Sequence, residues 1–221
     1  MSRVIERLVL GLWQANCFVV GNTGTGRAVV VDPGQDGGAP VLELLSASGL
    51  TCEAVLLTHG HLDHLWAAPV LAEHLDVPVL LHPDDRWLWD NPGAAFGATT
   101  EELRAQFGLV WAPSADRLTD IKDGQRLPFA DLGLQVRHTP GHTPGSCVFV
   151  TDDEPVLLSG DLLFAGSVGR TDLPGGSWEQ QMDSLRRVVL TLPGAMTVHP
   201  GHGPDTTVDT ERTTNPFLRD L

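Results

Sequence analysis

Four apolar, strand-like segments of this 221-residue chain each end in a turn that carries histidine or aspartate. The densest turn follows Leu56 and Leu57 and reads THGHLDH over residues 58–64. The other three turns contain the pairs Gly141-His142, Gly160-Asp161 and Gly201-His202. Because functional side chains at strand ends gather on one rim of a layered sheet protein, we predict that the four turns converge there.

The first turn has the residue types and spacing of a metal site. Imidazole nitrogen and carboxylate oxygen are suitable ligands for zinc and similar first-row metals, and Gly60 permits the backbone turn that aims His59 and His61 at one point. Asp63 and His64 point differently from that pair and suit a second ion. A lone histidine is usually an ordinary core or surface residue, but four ligand-bearing turns together favour a site for two metals.

The pattern of apolar runs predicts an α/β fold. Strands are predicted at residues 4–10, 17–20, 28–31, 54–57, 79–81, 134–137, 147–150, 156–158 and 196–198. Helices are predicted at residues 40–48, 65–75, 101–107 and about 178–192, with Pro69 in a first turn and Ser177 as an N-cap. Both halves of the chain show this alternation, and no linker separates them, so we expect one domain over residues 1–221 with two sheets packed face to face and helices outside.

The composition excludes several classes of partner. With 28 acidic and 14 basic side chains the formal net charge is -14, which repels phosphate backbones and disfavours nucleic acid. No apolar run approaches the ~20 residues that cross a bilayer, so we expect no membrane partner. Cys17, Cys52 and Cys147 show no disulfide or metal-ligand spacing, and the first residues do not resemble a signal peptide. We therefore expect a cytoplasmic monomer or small homo-oligomer that acts on a small molecule.

Four motifs occur in order along most of the chain. They are THGHLDH at residues 58–64, TPGHTPG at 139–145, SGD at 159–161 and PGHG at 200–203. Together they resemble the signature of the metallo-β-lactamase superfamily, and specifically its small bacterial glyoxalase II-like branch. The stretches FAGSVGRTD at 164–172 and TNPFL at 214–218 resemble the same branch. The resemblance implies a four-layer αβ/βα sandwich of two mixed β-sheets flanked by helices.

The resemblance also implies a ligand set and a reaction. His59, His61 and His142 would hold the first ion, Asp63, His64 and His202 the second, and Asp161 would bridge both. The implied cofactors are two divalent metal ions, with zinc first and iron or manganese as alternatives. The implied enzyme is hydroxyacylglutathione hydrolase-like: a metal-bridging hydroxide, oriented by Asp63, attacks S-lactoylglutathione or a related acyl thioester. Asp161 separates this chain from secreted β-lactamases, which lack the bridging carboxylate.

Three other functions share much of this motif. A persulfide dioxygenase of the same fold uses one iron, held by residues that match His59, His142 and Asp161, and is the main alternative. A nuclease of the superfamily is disfavoured by the acidic charge. A noncatalytic metal-binding module is disfavoured by the complete set of seven ligands.

The substrate-binding residues of longer glyoxalase II enzymes do not predict those of this chain. Their C-terminal helical region, which contributes to the glutathione pocket, has no counterpart after His202. The family also uses Tyr and Lys around glutathione, whereas this chain has no Tyr and only Lys122. The thiol carrier and the acyl group therefore stay open. Arg170 is a candidate for substrate binding, and an ion pair with Asp172 is its alternative role.

The remaining histidines and aromatic residues have structural interpretations. The histidines outside the ligand set are His74, His82, His138 and His199. The last two precede a ligand closely enough to support it through a hydrogen bond. The aromatic residues of the middle segment suit either the core or a lid over the site; they are Trp87, Trp89, Trp111, Phe96 and Phe107.

Overall fold

The computed structural model describes residues 3–152, 155–219 and 221, which form two six-stranded mixed sheets. The first sheet contains, in spatial order, β1 (Arg3–Leu10), β2 (Ala15–Asn22), β3 (Arg27–Val31), β4 (Thr51–Leu56), β5 (Val79–Leu81) and β6 (Leu118–Asp120). The first three strands pair antiparallel, and β3 to β6 pair parallel. The turn between β2 and β3 closes a β-hairpin.

The second half of the chain supplies the other sheet. Its strands are β7 (Arg126–Leu127), β8 (Leu134–His138), β9 (Cys147–Val150), β10 (Val156–Gly160), β11 (Leu163–Phe164), β12 (Ser167–Val168), β13 (Thr197–Pro200) and β14 (Thr206–Thr207). The sheet has the order β14-β13-β10-β9-β8-β7, and β11 and β12 form a separate hairpin. β10 and β13 are parallel, and the other pairs in this sheet are antiparallel.

In the described residues, seven α-helices connect or flank the strands. They are α1 (Gly38–Ser48), α2 (Leu62–Leu65), α3 (Ala68–Leu75), α4 (Arg86–Asp90), α5 (Thr100–Phe107), α6 (Trp178–Arg187) and α7 (Val208–Thr214). Local sequence explains several of their ends. Thr99 and Glu102 form a reciprocal capping box that starts α5, and the Ser177 hydroxyl accepts from the backbone of Gln180 at the start of α6. No helix in the described part of the chain is long and apolar enough to cross a membrane.

Alternating strand residues divide the interior into three cores. Along β2, Cys17 and Val19 pack in a core with α1 and α3, while Phe18 belongs to a core between the two sheets. Along β9, Phe149 joins that central core, and its neighbour Val148 joins a third core with α6 and α7. Helices, sheet, sheet and helices therefore form four layers, which confirms the predicted sandwich.

The sequence did not predict helices α4 and α7, and the ends of other predicted elements differ from those observed. The helix predicted at residues 65–75 begins later, at Ala68, because Pro69 lacks a backbone N–H and occupies the first turn of α3. Leu65 is instead the last residue of the separate short helix α2. The helix predicted to reach residue 192 ends at Arg187, and a 3-10 turn, Val189–Thr191, follows it. The strand predicted at residues 196–198 is β13, which extends to Pro200 and so approaches His202.

Candidate metal centre

The four predicted turns meet at one rim, and the two sheets both contribute to it. Residues 59–64 follow β4 of the first sheet and lead into α2. The second sheet supplies His142 from the loop between β8 and β9, Asp161 after β10 and His202 after β13. The structure therefore brings together all seven predicted side chains, which were separated by up to 143 positions in the chain (202 minus 59).

The first group contains three buried imidazoles. His59, His61 and His142 each offer a ring nitrogen, and these atoms lie within 4.8 Å of one another. The closest approach, 2.8 Å, joins Nδ1 of His61 to Nε2 of His142. Three ring nitrogens that converge in this way match a trigonal face of a tetrahedral metal site. We call this group the first triad.

The second group combines a carboxylate with two imidazoles. Nε2 of His202 lies 3.2 Å from Oδ2 of Asp63 and 3.2 Å from Nε2 of His64. The remaining pair, Nε2 of His64 and Oδ2 of Asp63, is 3.5 Å apart. We call this group the second triad, and it has the mixed nitrogen and oxygen donors that suit zinc, iron or manganese.

Asp161 lies between the two triads. Its Oδ2 is 3.5 Å from Nε2 of His142 and 3.7 Å from Nε2 of His202. Its Oδ1 is 3.4 Å from Nε2 of His64. One carboxylate thus faces ligand atoms of both groups, as a bridging ligand must.

Hydrogen bonds outside the triads fix which ring nitrogen points inward. The Thr58 hydroxyl donates to Oδ2 of Asp32 at 2.6 Å, so its oxygen accepts from Nδ1 of His59 at 3.0 Å and leaves Nε2 of that ring free. Asp32 also accepts from Nδ1 of His64 at 3.0 Å, which directs Nε2 of His64 inward. Asp32 is not among the predicted site residues, although it follows β3 as Asp161 follows β10.

A backbone acceptor fixes the orientation of His142 in the same way. Its Nδ1 donates to the carbonyl oxygen of Arg170 at 2.7 Å, which leaves Nε2 toward His61. The Arg170 side chain instead binds Asp172 through two 2.7 Å hydrogen bonds. Of the two roles considered for this side chain, the ion pair is the one present in the structure.

A second missed residue, Asp85, is completely buried beside the first triad. Its carboxylate accepts from the backbone N–H of Gly60 at 2.8 Å and of Gly145 at 2.7 Å. Burial raises its pKa, and these hydrogen bonds oppose that effect. Nothing in the sequence around Asp85 distinguishes it from the exposed Asp84.

Burial and charge act differently on the imidazoles. Burial, reinforced by neighbouring histidines, holds the pKa of both His59 and His61 well below the ordinary value, so both rings are neutral and offer lone pairs. Burial has the same effect at His64, but the carboxylates of Asp63, Asp161 and Asp32 outweigh it and raise the pKa of His64 to about 10. The second triad therefore lies in a field that favours positive charge.

The donor set fits metal ions on a further observation. Among the buried polar atoms without a hydrogen-bond partner in the described part of the chain, three belong to the predicted ligands: Nε2 of His59, Nε2 of His61 and Oδ1 of Asp161. Buried polar groups are normally paired, and each exception calls for an explanation. Coordination by a cation explains the unpaired Nε2 of His59 and Oδ1 of Asp161, because both atoms face the triads. The role of the seven residues as ligands nevertheless stays a prediction.

The remaining histidines are not part of this cluster. Nε2 of His138 bonds to the carbonyl oxygen of Pro144 at 2.8 Å, and its ring stacks on His82 at 4.0 Å. His138 therefore supports the loop that carries His142 rather than the ligand itself. Nδ1 of His199 lies 3.2 Å from Oδ1 of Asp205, which is outside the ligand set.

An open cleft of about 390 Å³ gives access to both triads. Its lining residues are Trp13, Asp63, Phe96, His142, Asp161, Phe164, Val168, Arg170, Leu173 and His202. Of the aromatic residues predicted to form a core or a lid, Phe96 borders the cleft. Trp89 is buried, and the indole N–H of Trp111 donates to its carbonyl oxygen at 2.9 Å, so this pair belongs to the core.

Comparison with known proteins finds relatives that match over nearly the whole chain. A family model described as the metallo-beta-lactamase superfamily matches residues 10–202. The probable metallo-hydrolase YqgX of Bacillus subtilis is 39% identical over 215 residues, which is 96% of each chain. The hydroxyacylglutathione hydrolase GloC of Haemophilus influenzae is 32% identical over 219 residues, which is 97% of each chain.

Solved structures show the same fold. The BLEG-1 B3 metallo-beta-lactamase superposes with a TM-score of 0.85 at 35% identity and covers 97% of this chain and 99% of its own. TTHA1623 in a di-iron-bound form has a TM-score of 0.82 at 43% identity, with 96% and 100% covered. ETHE1 from Myxococcus xanthus has a TM-score of 0.77 at 27% identity, with 96% and 83% covered.

Proposed function

The chain belongs to the metallo-beta-lactamase superfamily, and from that membership and the two triads we propose that it is a dinuclear metal-dependent hydrolase of thioesters. The observation that carries the proposal is the position of Asp161, whose carboxylate faces both triads. We assign His59, His61 and His142 to one ion, Asp63, His64 and His202 to the other, and Asp161 to both. The substrate that we propose is S-lactoylglutathione or a related acyl thioester, and the similarity to GloC supports this class.

The ions would supply chemistry that the side chains lack. When bound, two divalent ions, with zinc first and iron or manganese as alternatives, provide hydroxide at neutral pH and polarise the thioester carbonyl. Among the side chains, Asp63 is the one that we propose orients the nucleophile. Neighbouring histidines outweigh burial and hold its pKa well below the ordinary value, so it remains a carboxylate that accepts a hydrogen bond from the attacking water and orients it.

The proposed leaving group is a thiolate, and its chemistry determines whether the protein must provide a general acid. A thiolate departs without protonation far more readily than an amine, so the reaction requires no general acid. The cleft is consistent with this requirement: apart from the proposed ligands, Arg170 is the only ionisable residue among those that line it in the described ranges. Catalysis then depends on positioning and on electrostatic stabilisation of the carbonyl oxygen.

The alternative is a persulfide dioxygenase, which the structural similarity to ETHE1 supports. That activity would need one iron held by His59, His142 and Asp161. The second triad favours the hydrolase, because a one-iron site would leave the mutually close side chains of Asp63 and His202 without a function.

Metal analysis and two assays on the same preparation distinguish these functions. For the hydrolase we expect two ions per chain, turnover of acyl thioesters and no oxygen uptake with glutathione persulfide. One iron per chain together with stoichiometric oxygen consumption would overturn the hydrolase.

We also propose that residues 1–221 act as one catalytic unit, since both sheets contribute ligands. We further propose that the protein works in a reducing cytoplasm, which suits its three free, buried cysteines.

A further inference from the structure

The cleft over the triads has walls of large apolar side chains. Phe96 lies beside the first triad, with its ring centroid 6.3 Å from that of His61. Phe164 lies beside the second triad, 6.0 Å from the ring of His202. Trp13 and Leu173 add to these walls. A substrate whose carbonyl reaches Asp161 must therefore pass between apolar surfaces.

Phe96 is the most exposed part of this wall. Its side chain is 47% exposed, although it belongs to a residue type that is favoured in the interior. It lies in a short 3-10 turn, Ala94–Phe96, where its neighbour Ala95 is buried and holds the turn against the protein. A ligand that covers the exposed ring would remove apolar surface from water, which is favourable in proportion to the area covered.

Apart from the proposed ions, the cleft offers little to a charged group of the substrate. Within the described ranges, Arg170 is the one lysine or arginine that lines it. Its Nε and one of its Nη atoms bond to Asp172, so the pair carries no net charge. Glutathione carries two carboxylates, and in the described ranges the one basic side chain of these walls is already paired with Asp172.

We propose that the cleft selects thioesters with an apolar acyl chain and an uncharged thiol arm, and that Phe96 is the main specificity residue. This inference rests on the proposed hydrolase function and narrows its substrate class. The acyl chain lies against Phe96, while the carbonyl group is held near Asp161. Polar acyl groups such as lactoyl gain nothing from this wall.

A chain-length series tests the proposal on the metal-reconstituted protein. Acetyl, butyryl and hexanoyl thioesters of N-acetylcysteamine are compared with S-lactoylglutathione. We expect kcat/KM to rise about fourfold for each added methylene that the wall covers, and S-lactoylglutathione to be a poorer substrate than the hexanoyl thioester. Phe96→Ala should abolish most of the chain-length dependence. Phe217→Ala, which removes a ring outside the cleft, should retain it.

A binding measurement separates failure of this inference from failure of the hydrolase function. S-butyl and S-hexyl thioethers of N-acetylcysteamine cannot be hydrolysed, and tryptophan fluorescence reports their binding because Trp13 lines the cleft. Tighter binding of the longer thioether, lost in Phe96→Ala, supports the apolar site even if no thioester is turned over. Hydrolysis without any dependence on chain length, or equal binding of both thioethers, overturns the inference while leaving the hydrolase function intact.

Discussion

The Thr143 hydroxyl donates a 2.6 Å hydrogen bond to the buried carboxylate of Asp85. The same carboxylate accepts from the backbone of Gly60, which lies between His59 and His61. Asp85 thus links the turn that supplies two ligands of the first triad with the loop that supplies the third, His142. It belongs to neither segment and sets the distance between them.

Replacement of Asp85 by Asn should loosen this link. In either orientation of the amide, its NH2 group faces the backbone N–H of Gly60 or Gly145, so one buried donor loses its acceptor. We expect the free energy of unfolding to fall by about 1–3 kcal/mol and the metal affinity of the first triad to fall about 10- to 100-fold. Urea denaturation and metal titration measure the two effects.

The adjacent Asp84 provides the control for this substitution. Its side chain is 57% exposed, so Asp84→Asn makes the same chemical change without breaking the link between the loops. Equal effects of the two substitutions on metal affinity would show that Asp85 does not position the triad.

Asp63→Asn should nearly abolish turnover. The amide retains the size of the side chain but loses the charge that binds the second ion and orients the nucleophile. We expect kcat to fall by at least about 100-fold, the scale of losing one preorganised electrostatic interaction. Metal content must be measured on the same sample, and an unchanged rate with full occupancy would refute the proposed role.

Gly201→Ala should disrupt the site without changing its chemistry. A Cβ at this position would overlap Oδ1 of Asp161 and lie 2.8 Å from Cε1 of His64, so both side chains would have to move. We expect loss of the second ion, detected by metal analysis, and a corresponding loss of activity. Gly38→Ala is the control, since its added Cβ would meet nothing closer than Val70 at 3.8 Å. Full metal content in Gly201→Ala would contradict the prediction.

Asp172→Asn should change which acyl groups the protein accepts. The aspartate holds Arg170 through two hydrogen bonds, and the bonded guanidinium in turn lowers the pKa of Asp172 to about 2. With a neutral partner, Arg170 is free to pair with a substrate carboxylate. We expect KM for a succinyl thioester to fall up to about fivefold, the range of an exposed ion pair, and KM for a butyryl thioester to stay constant.

The pair Arg187 and Asp183 offers a matched control on α6, with the same 2.7 Å nitrogen–oxygen distance and similar exposure. Asp183→Asn should change neither KM. A shift of the succinyl KM in both variants would point to the overall charge of the protein rather than to Arg170.

Sequence patterns predicted the layers and the rim because both depend on features repeated along the chain. The continuous apolar run that contains Cys17 and Phe18 predicted a strand, and the structure buries both of its faces, since it places these neighbours in two different cores. Four strands, β7, β11, β12 and β14, have two residues each. Segments this short are strands because they pair with a neighbouring strand, not because of a pattern in their own sequence. Periodicity cannot detect segments of that length.

The residues around the ligands were harder to predict for a different reason. Histidines in a dense cluster are rare, so His59 and His61 stand out. A single aspartate does not, and the burial of Asp32 and Asp85 depends on partners 26 and 58 positions away. Their importance arises only when the chain folds and removes each carboxylate from water, where it must find donors.

Each triad takes two side chains from the turn after β4 and one from the second sheet. The contacts across the sheets join His61 to His142, 81 positions apart, and His64 to His202, 138 positions apart. Ions held there would act as reversible cross-links between the two β-layers. Each cross-link would close a loop and so reduce the conformational entropy that the chain gains on unfolding. Separation of the sheets would then have to await ion release, so the lifetime of the folded protein would depend on the supply of metal as well as on its core.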